Sequence, residues 1–343
     1  MEKKQRIFIL IWLLCACTMM WAGNSDGDGN GISAKKRPKI GLVLGGGGAK
    51  GAAEVGVLKY IEKAGIKIDY IAGTSIGSII GALYSVGYSA ADLDSLFHSQ
   101  EWLSLLTDRD MENTSKFISR KDSALYIFGF PIIKPKITDP NHKRTVGLSR
   151  GDSIVSLFTK MTKQPDSIDF DKLPIPFRCV AVDVRKFHEV VLSKGNLPSA
   201  MRASMAIPGV FKPVEMDSML LVDGGLLNNL PVDVVREMGA DIVIAVDLTQ
   251  NKHENKKKVN DEDSFTKHIS TLISWLVSRP DLGKYQENSV EADIYINPDL
   301  KGFSAADFKP KRIARMIELG EQAGLEALPD LQYLKKYGKV KEK

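Results

Sequence analysis

Three short motifs supply the groups that nucleophilic attack on a carbonyl carbon requires. Gly45–Gly51 is rich in glycine, Gly73–Gly77 reads Gly-Thr-Ser-Ile-Gly around Ser75, and Asp223–Gly225 puts a carboxylate before two glycines. Each motif follows an apolar, strand-like run of residues. Backbone amides, a serine hydroxyl and a carboxylate are together the components of serine-based acyl transfer. The sequence therefore predicts a serine acyl hydrolase.

The glycine run is interpreted as an oxyanion hole. The negative charge of a tetrahedral intermediate is stabilised by backbone N–H groups that point into one cavity, and we expect those of Gly46, Gly47 and Gly48 to do this. Glycine permits the close approach and the unusual backbone angles that such a loop needs. Lys50 and Gly51 complete the motif, and the positive N-terminal end of the following helix adds to the field.

Two nucleotide-binding loops share part of this glycine pattern. Gly46, Gly48 and Gly51 fit the dinucleotide fingerprint Gly-x-Gly-x-x-Gly. The acidic residue at about the required distance, Asp69, precedes the core of the second strand instead of ending it. A P-loop needs serine or threonine after its lysine, and glycine follows Lys50. A simple tight turn accounts for one or two glycines but not four, so an oxyanion loop is favoured.

Ser75 lies at the centre of a Gly-x-Ser-x-Gly elbow between a predicted strand and a predicted helix. Serine at this point occupies a strained turn with its hydroxyl projecting outward, and Gly73 and Gly77 let the strand and the helix approach each other. The alternative is that Ser75 is an ordinary helix N-cap. Small residues early in the following helix favour the nucleophile.

Asp223 is the predicted general base. The order serine, acid, histidine is usual for such an elbow, but only His253 and His268 follow, the first in a lysine-rich stretch and the second beside Lys267. Burial at a strand end can raise the pKa of a carboxylate and direct it at a neighbour. Aspartate before two glycines is also a common turn former. The earlier histidines are interpreted as solvated or capping residues: His98, His142 and His188.

These motifs resemble those of the patatin-like phospholipases, which use a Ser–Asp dyad without histidine. Gly46–Gly51 matches the family's Gly-Gly-Gly-x-Arg/Lys-Gly loop, Gly73–Gly77 its elbow and Asp223–Gly225, with Gly224 in the middle, its Asp-Gly-Gly motif. Arg202–Pro208 is similar to the stretch that precedes this aspartate in the family. The resemblance implies an α/β/α sandwich, hydrolysis of lipid acyl esters, and the motif serine and aspartate as nucleophile and base.

Apolar runs and helical spacing alternate along the chain from Ile40. This alternation predicts a layered α/β domain with a largely parallel central sheet. The predicted strands are Ile40–Leu44, Ile68–Gly73, Phe177–Val184, His188–Leu192, Met219–Val222, Asp241–Val246 and Ala292–Asn297. The predicted helices are Ala49–Lys63, Ile76–Val86, Ser199–Met205, Pro231–Met238, one near Ser264–Val277 and one near Lys311–Leu325.

Residues 1–22 have the pattern of a signal peptide: a basic start, then the apolar run Ile7–Ala22, with the polar stretch 23–37 as a linker. The apolar run is shorter than the roughly 20 residues of a spanning helix; an uncleaved anchor is the alternative. Leu14–Cys17 also resembles a lipobox that would be lipidated at Cys17, but the apolar residues after it favour cleavage following Ala22. We expect an exported bacterial protein that is periplasmic, secreted or associated with the outer membrane.

The hydrolase domain is predicted over residues 38–325, with a basic C-terminal tail over 326–343. Residues 107–150 interrupt the alternation and are interpreted as an insertion that forms a lid. Within it, the apolar side chains of Tyr126–Ile133 predict contact with a lipid surface, or else packing on the core. The lysine-rich stretch 250–263 is interpreted as a solvated loop, with a patch for anionic lipid as the alternative.

The composition is that of an ordinary globular protein, with 43% hydrophobic and 26% charged residues. The formal net charge is +5, of which the first 22 residues supply +2, so nucleic-acid binding is not predicted. No cluster has metal-ligand spacing, and no metal or cofactor is predicted. The expected substrate is a phospholipid or another acyl lipid at a membrane or micelle surface. The alternatives are an esterase or thioesterase for soluble acyl compounds and a catalytically silent lipid-binding module.

Overall fold

The computed structural model describes residues 37–108, 149–250 and 282–340, with the backbone of two short strands at Tyr126–Ile127 and Phe130–Pro131. The described residues from Pro38 onward belong to one compact unit. Several predictions concern parts of the chain outside the described residues: the signal peptide, Cys17, residues 23–36 of the linker, the side chains of Tyr126–Ile133, the loop 251–263, the helix near Ser264–Val277, and His142, His253 and His268.

The described residues form an eight-stranded sheet with a parallel centre. The strands are β1 (Ile40–Leu44), β2 (Tyr70–Thr74), β3 (Phe177–Asp183), β4 (His188–Leu192), β5 (Val214–Met216), β6 (Met219–Asp223), β7 (Ile242–Val246) and β8 (Ile294–Ile296). Their order in the sheet is β8-β7-β1-β2-β3-β6-β5, and the five strands from β8 to β3 run parallel to one another. Strands β4 and β6 both pair antiparallel with β3, and β5 pairs antiparallel with β6. The prediction of a largely parallel sheet is confirmed.

Helices cover both faces of this sheet. Successive side chains of a strand point to opposite faces, and in β1 Leu42 and Leu44 join one apolar core while Val43 joins the other. The helices are α1 (Ala52–Lys63), α2 (Ile76–Ser85), α3 (Ala90–Ser99), α4 (Trp102–Thr107), α5 (Asp152–Thr162), α6 (Leu197–Ser204), α7 (Val232–Glu237), α8 (Leu282–Glu291) and α9 (Pro310–Tyr337). The larger core includes α1, α2 and α9, and the smaller includes α7 and Tyr285 of α8. The three-layer sandwich is confirmed.

Four of these helices, α3, α4, α5 and α8, were not among the sequence predictions. For α3 a signal exists, because Ser89 and Asp92 form a capping box in which each side chain accepts the other's backbone N–H. The apolar residues of α5 also repeat at helical spacing, with Ile154 and Phe158 buried. Within the described ranges, no helix is both long and apolar enough to cross a membrane.

The C-terminal helix corrects one predicted boundary. Helix α9 does not end near Leu325 but continues to Tyr337, through Pro329. Its second half contributes Leu331 and Leu334, which are buried in the larger core. The tail predicted from residue 326 is therefore part of the domain up to Tyr337, because an apolar stripe continues along the helix despite the basic residues beside it.

Asp108, directly after α4, is bonded to the residues at the start of α5. The carboxylate of Asp108 accepts the Ser149 hydroxyl at 2.9 Å and the backbone N–H groups of Gly151 at 2.7 Å and Ser153 at 2.9 Å. These bonds hold the two ends of residues 109–148 together. The lid insertion predicted over residues 107–150 lies mostly outside the described residues and stays a prediction.

Candidate active site

Ser75 forms the junction between β2 and α2. Strand β2 ends at Thr74 and α2 begins at Ile76, so a single residue makes the turn. Ser75 has φ of 55° and ψ of −123°, angles that a residue with a side chain rarely adopts and that cost about 1–3 kcal/mol. A Cβ atom at Gly77 would lie 2.2 Å from the carbonyl oxygen of Leu44, so glycine is needed there. The predicted elbow has the strained geometry expected of it.

A buried serine on α6 holds this strained turn in place. The hydroxyl of Ser204 accepts the backbone N–H of Ser75 at 2.9 Å and donates to the carbonyl oxygen of Val180 at 2.6 Å. The hydroxyl of Ser78 donates to the carbonyl oxygen of Ser75 at 2.6 Å. Both polar groups of the Ser75 backbone are thus bonded to side chains. Ser204 lies in the Arg202–Pro208 stretch noted in the sequence, but its contact with Ser75 was not predicted.

Strand β3 brings Asp223 to Ser75. Strand β2 runs parallel to β3 and its Thr74 pairs with Val180, whereas β6 runs antiparallel and its Asp223 pairs with Ala181. The two strands therefore end against consecutive residues of β3. The Ser75 side chain thereby lies close enough to the Asp223 carboxylate to lower its pKa. Two residues nearly 150 positions apart in the sequence become neighbours in this way.

Asp223 is a buried carboxylate with one backbone donor. It is 5% exposed, and its Oδ1 accepts the N–H of Gly225 at 2.8 Å. Burial raises the pKa of Asp223 to about 6, and the hydrogen bonds from Gly225 and Ser75 oppose this rise. Such a carboxylate is ionised at neutral pH and is a stronger base than an exposed one.

The histidines within the described residues lie elsewhere. His98 is exposed, and its Nδ1 contacts Asp94 one helical turn earlier. His188 is exposed at the start of β4, where it pairs with Asp183. Neither forms a hydrogen bond with Ser75 or Asp223 in the part of the chain that the structure describes. Among the described residues, Asp223 is therefore the remaining candidate for the base predicted from the sequence.

The glycine loop corrects one of the predicted oxyanion donors. The N–H of Gly46 already donates to the carbonyl oxygen of Asn229 at 3.1 Å, so it is not available to an oxyanion. Gly47 precedes the 3₁₀ turn Gly48–Gly51 and Gly48 begins it; among the described residues neither amide donates to a backbone carbonyl outside this turn. Amides at the start of a helical turn lack intrahelical partners. Gly47 and Gly48 are therefore the remaining candidates of the three.

Asn229 connects the glycine loop to the Asp223 motif, and the sequence analysis missed it. Its Nδ2 donates to the carbonyl oxygen of Gly46 at 3.1 Å, so Asn229 bonds both polar groups of that residue. A Cβ at Gly225 would lie 2.7 Å from its Oδ1. Asn229 follows the Asp223–Gly225 motif closely in the chain, and its amide side chain was the only signal for this role.

Lys50, the basic residue of the glycine motif, is buried behind the loop. Burial lowers the pKa of Lys50, while Asp247 and Asp307 act in the opposite direction. Asp247 is itself fully buried and accepts the hydroxyls of Tyr285 and Tyr295. Burial raises the pKa of the fully buried Glu54 well above its ordinary value. Asp247 and Asp307 therefore partly balance the charge of Lys50 inside the protein.

An apolar pocket opens beside Ser75. Ser75 contributes the polar side chain of the pocket lining. The other lining residues are glycine, alanine or apolar residues, and they come from the glycine loop, α2, α4, α5, the Met205–Phe211 segment and the loop before α9. Those at its buried side include Trp102, Ile154 and Phe211, each at most 3% exposed. Such a pocket suits a hydrocarbon chain, because burying apolar area yields about 25 cal/mol per Å². Within the described ranges, no group of three or more His, Cys, Asp or Glu residues is placed to hold a metal ion.

Replacing Ser204 by alanine should lower kcat at least about 10-fold and leave KM little changed, because a small displacement of a reacting atom is costly in rate. The change leaves the Ser75 N–H and the Val180 carbonyl without their partner, at about 1–3 kcal/mol for each buried group. Steady-state kinetics with a soluble ester tests this. Ser199→Ala on the same helix is the matched control. A Ser204→Ala enzyme with wild-type kcat would show that the hydroxyl does not position Ser75.

A parallel α/β sheet that carries a serine elbow, a buried carboxylate and a glycine loop is the architecture of serine acyl hydrolases. Residues 42–236 match the family model described as patatin-like phospholipase. This match covers more than half of the chain, and the chain belongs to the patatin-like phospholipase family.

Relatives of this family span bacteria, fungi and mammals. Patatin-like phospholipase domain-containing protein 6 of Homo sapiens is 35% identical over 240 residues, which are 69% of this chain and 14% of that protein. An uncharacterized NTE family protein of Mycobacterium tuberculosis is 31% identical over 217 residues, 63% of this chain and 51% of that protein. Lysophospholipase nte1 of Aspergillus fumigatus is 33% identical over 212 residues, 61% of this chain and 12% of that protein. The chain thus spans about half the length of the mycobacterial relative and far less of the others.

Solved structures with a similar arrangement include VipD from Legionella pneumophila. It is 17% identical, with a TM-score of 0.47, and the match covers 85% of this chain and 67% of that chain. The type III effector protein ExoU is 15% identical, with a TM-score of 0.42, and the match covers 86% of this chain and 53% of that chain.

Proposed function

We propose that this protein hydrolyses fatty-acyl esters of lipids through an acyl-enzyme on Ser75. The observation that carries the proposal is the position of Ser75, at a strained elbow beside the buried Asp223 carboxylate and in the lining of an apolar pocket. Membership of the patatin-like phospholipase family supports a lipid substrate. The sequence prediction of a serine–aspartate dyad is retained, with Gly47 and Gly48 as the oxyanion donors.

The reaction proceeds in two halves. Ser75 Oγ attacks the ester carbonyl carbon while Asp223 accepts the hydroxyl proton, and the N–H groups of Gly47 and Gly48 donate to the oxyanion. Collapse of the intermediate breaks the bond to the alcohol, which takes the proton from Asp223. Water then attacks the acyl-enzyme, with Asp223 again accepting a proton, and the fatty acid is released as Ser75 regains its hydrogen.

Fluorophosphonate labelling and a substrate panel test this proposal. We expect Ser75 to be labelled and fatty acid to be released from long-chain glycerophospholipid, with a rise in rate when the lipid passes from monomers to aggregates. Mass spectrometry of the products identifies the bond cleaved. If Ser75 is labelled but only soluble esters or acyl thioesters are hydrolysed, the proposed substrate class changes from lipids to soluble acyl compounds. If the protein is not labelled but binds vesicles, the proposal of an enzyme is refuted and a catalytically silent lipid-binding module is favoured.

A further inference from the structure

A loop near the C-terminus borders the pocket although it lies outside the family-matched region. The match covers residues 42–236, whereas Ala305, Ala306 and Phe308 line the pocket together with Ser75. We call residues 300–308 the wall loop. It connects β8 to α9 and makes contacts that none of the motifs in the sequence indicates.

The wall loop touches the glycine loop directly. The carbonyl oxygen of Ala305 accepts the N–H of Ala49 at 2.8 Å. Gly48 has φ of +58°, and a Cβ atom there would lie 2.4 Å from that same oxygen. The two loops therefore approach more closely than any side chain at Gly48 would permit. The wall loop therefore lies directly beside Gly48, one of the predicted oxyanion donors.

The shape of the wall loop is fixed by its own polar contacts. The Asp307 carboxylate accepts the backbone N–H of Ser304 at 2.7 Å and the guanidinium of Arg312 at 2.6 Å. Arg312 also donates to the carbonyl oxygen of Gly302 and lies 4.0 Å from the ring centroid of Phe303. Since Arg312 belongs to α9, which packs on the core through Ile313 and Met316, the loop is anchored to a rigid helix.

The wall loop is among the more accessible parts of the pocket lining. Ala305, Ala306 and Phe308 are half-buried, whereas Ile154 is fully buried and Phe211 is 3% exposed. An acyl chain attached at Ser75 would enter a pocket that the wall loop and these buried residues line together. Within the wall loop, Ala305 and Ala306 contribute small side chains to this lining and Phe308 contributes a large one.

We propose that the wall loop determines which acyl chains the site accepts, with Ala306 leaving room for a long chain and Phe308 contacting it. This inference rests on the proposed function. The substrate class is an ester of a long-chain fatty acid, because a long chain buries more apolar area against the pocket lining than a short chain does. Ala306 and Phe308 act on specificity and take no part in the proton transfers.

Ala306→Phe tests the inference with p-nitrophenyl butyrate, decanoate and palmitate. We expect kcat/KM for palmitate to fall at least about 10-fold relative to butyrate, since a side chain in the acyl path excludes long chains while the reacting groups stay in place. Ala91→Phe, at an exposed position of α3, is the matched control and should leave the palmitate-to-butyrate ratio unchanged. An unchanged ratio in Ala306→Phe would overturn the inference.

A second variant keeps the inference testable if Ala306→Phe folds poorly. Phe308→Ala removes apolar contact from the chain, and the palmitate-to-butyrate ratio should fall about 3- to 10-fold through a higher KM for palmitate. Equal losses on all three esters would mean that the loop supports the glycine loop only, which contradicts a role in specificity. Wild-type protein that hydrolyses none of the esters would refute the proposed function instead, so the two failures are distinguishable.

Discussion

Ser75→Ala is expected to lower ester hydrolysis by at least about 10³-fold, because no neighbouring group can replace the nucleophile. The structural cost should be small. Alanine keeps the Cβ atom, and the backbone bonds of residue 75 to Ser204 and Ser78 involve its N–H and carbonyl groups alone. The rate with p-nitrophenyl butyrate and the thermal midpoint, measured on the same sample, separate loss of chemistry from loss of fold.

Ser85→Ala is the matched control for this variant. Ser85 is fully buried on the same helix, and its hydroxyl donates to the carbonyl oxygen of Ala82 at 2.8 Å. It should retain wild-type activity and wild-type labelling by a fluorophosphonate. Ser75→Ala should lose both. If more than a few per cent of the hydrolysis survived in Ser75→Ala, another residue would have to be the nucleophile.

Asp223→Asn is expected to lower kcat/KM by about 10²–10⁴-fold, the range that a positioned general base contributes. The amide has nearly the same shape but cannot accept the Ser75 proton. In the wild type kcat/KM should fall as the pH drops through about 6, the pKa of Asp223, because the base must be ionised to act. Asp223→Asn should lack this acidic limb in its residual rate.

The same substitution should stabilise the protein at neutral pH. The pKa of Asp223 rises from 3.8 in the unfolded chain to about 6 in the folded protein. The folded state therefore loses stability as the pH rises from 3.8 to 6 and stays at the lower level above that. Each pH unit corresponds to about 1.4 kcal/mol, so ionising Asp223 costs about 3 kcal/mol. Urea unfolding at pH 7.5 should show Asp223→Asn to be the more stable form.

Controls for the base address the other titratable candidates. Asp183→Asn alters a carboxylate on strand β3 that accepts the N–H groups of Arg185 and Leu220. This variant should hydrolyse the ester at the wild-type rate per molecule of soluble, folded protein. His253→Ala and His268→Ala should each change the activity little. A large loss in either histidine variant, with Asp223→Asn still active, would assign the base to histidine.

The sequence alone determined the elements that carry the chemistry. The ends of β1 and β2, the elbow at Ser75 and the end of β6 at Asp223 follow from apolar runs interrupted by glycine, a local signal. Strand bounds such as Ile40–Leu44 and His188–Leu192 agree with the structure. Local patterns are informative here because a strand buried on both faces has to be apolar throughout.

Only the tertiary structure decided how these pieces meet. That β2 and β6 end against neighbouring residues of β3 depends on pairing between distant segments, which no local pattern specifies. The roles of Ser204 and Asn229 depend in the same way on side chains that reach across the fold to backbone groups of other motifs. The loss of Gly46 as an oxyanion donor has the same origin, since its N–H is bonded to a carbonyl far along the chain.

Residues 300–308 illustrate the difference between what the sequence determines and what only the tertiary structure decides. The motifs end at Gly225, and no chemical role was predicted for residues 300–308, because alanine and phenylalanine carry no reactive group. The fold nevertheless puts Ala305 against Gly48 and Phe308 in the pocket lining, since α9 packs beside α1, the helix that follows the glycine loop. Reactive groups can be recognised one residue at a time from the sequence, whereas the surfaces that surround a substrate are set by long-range packing.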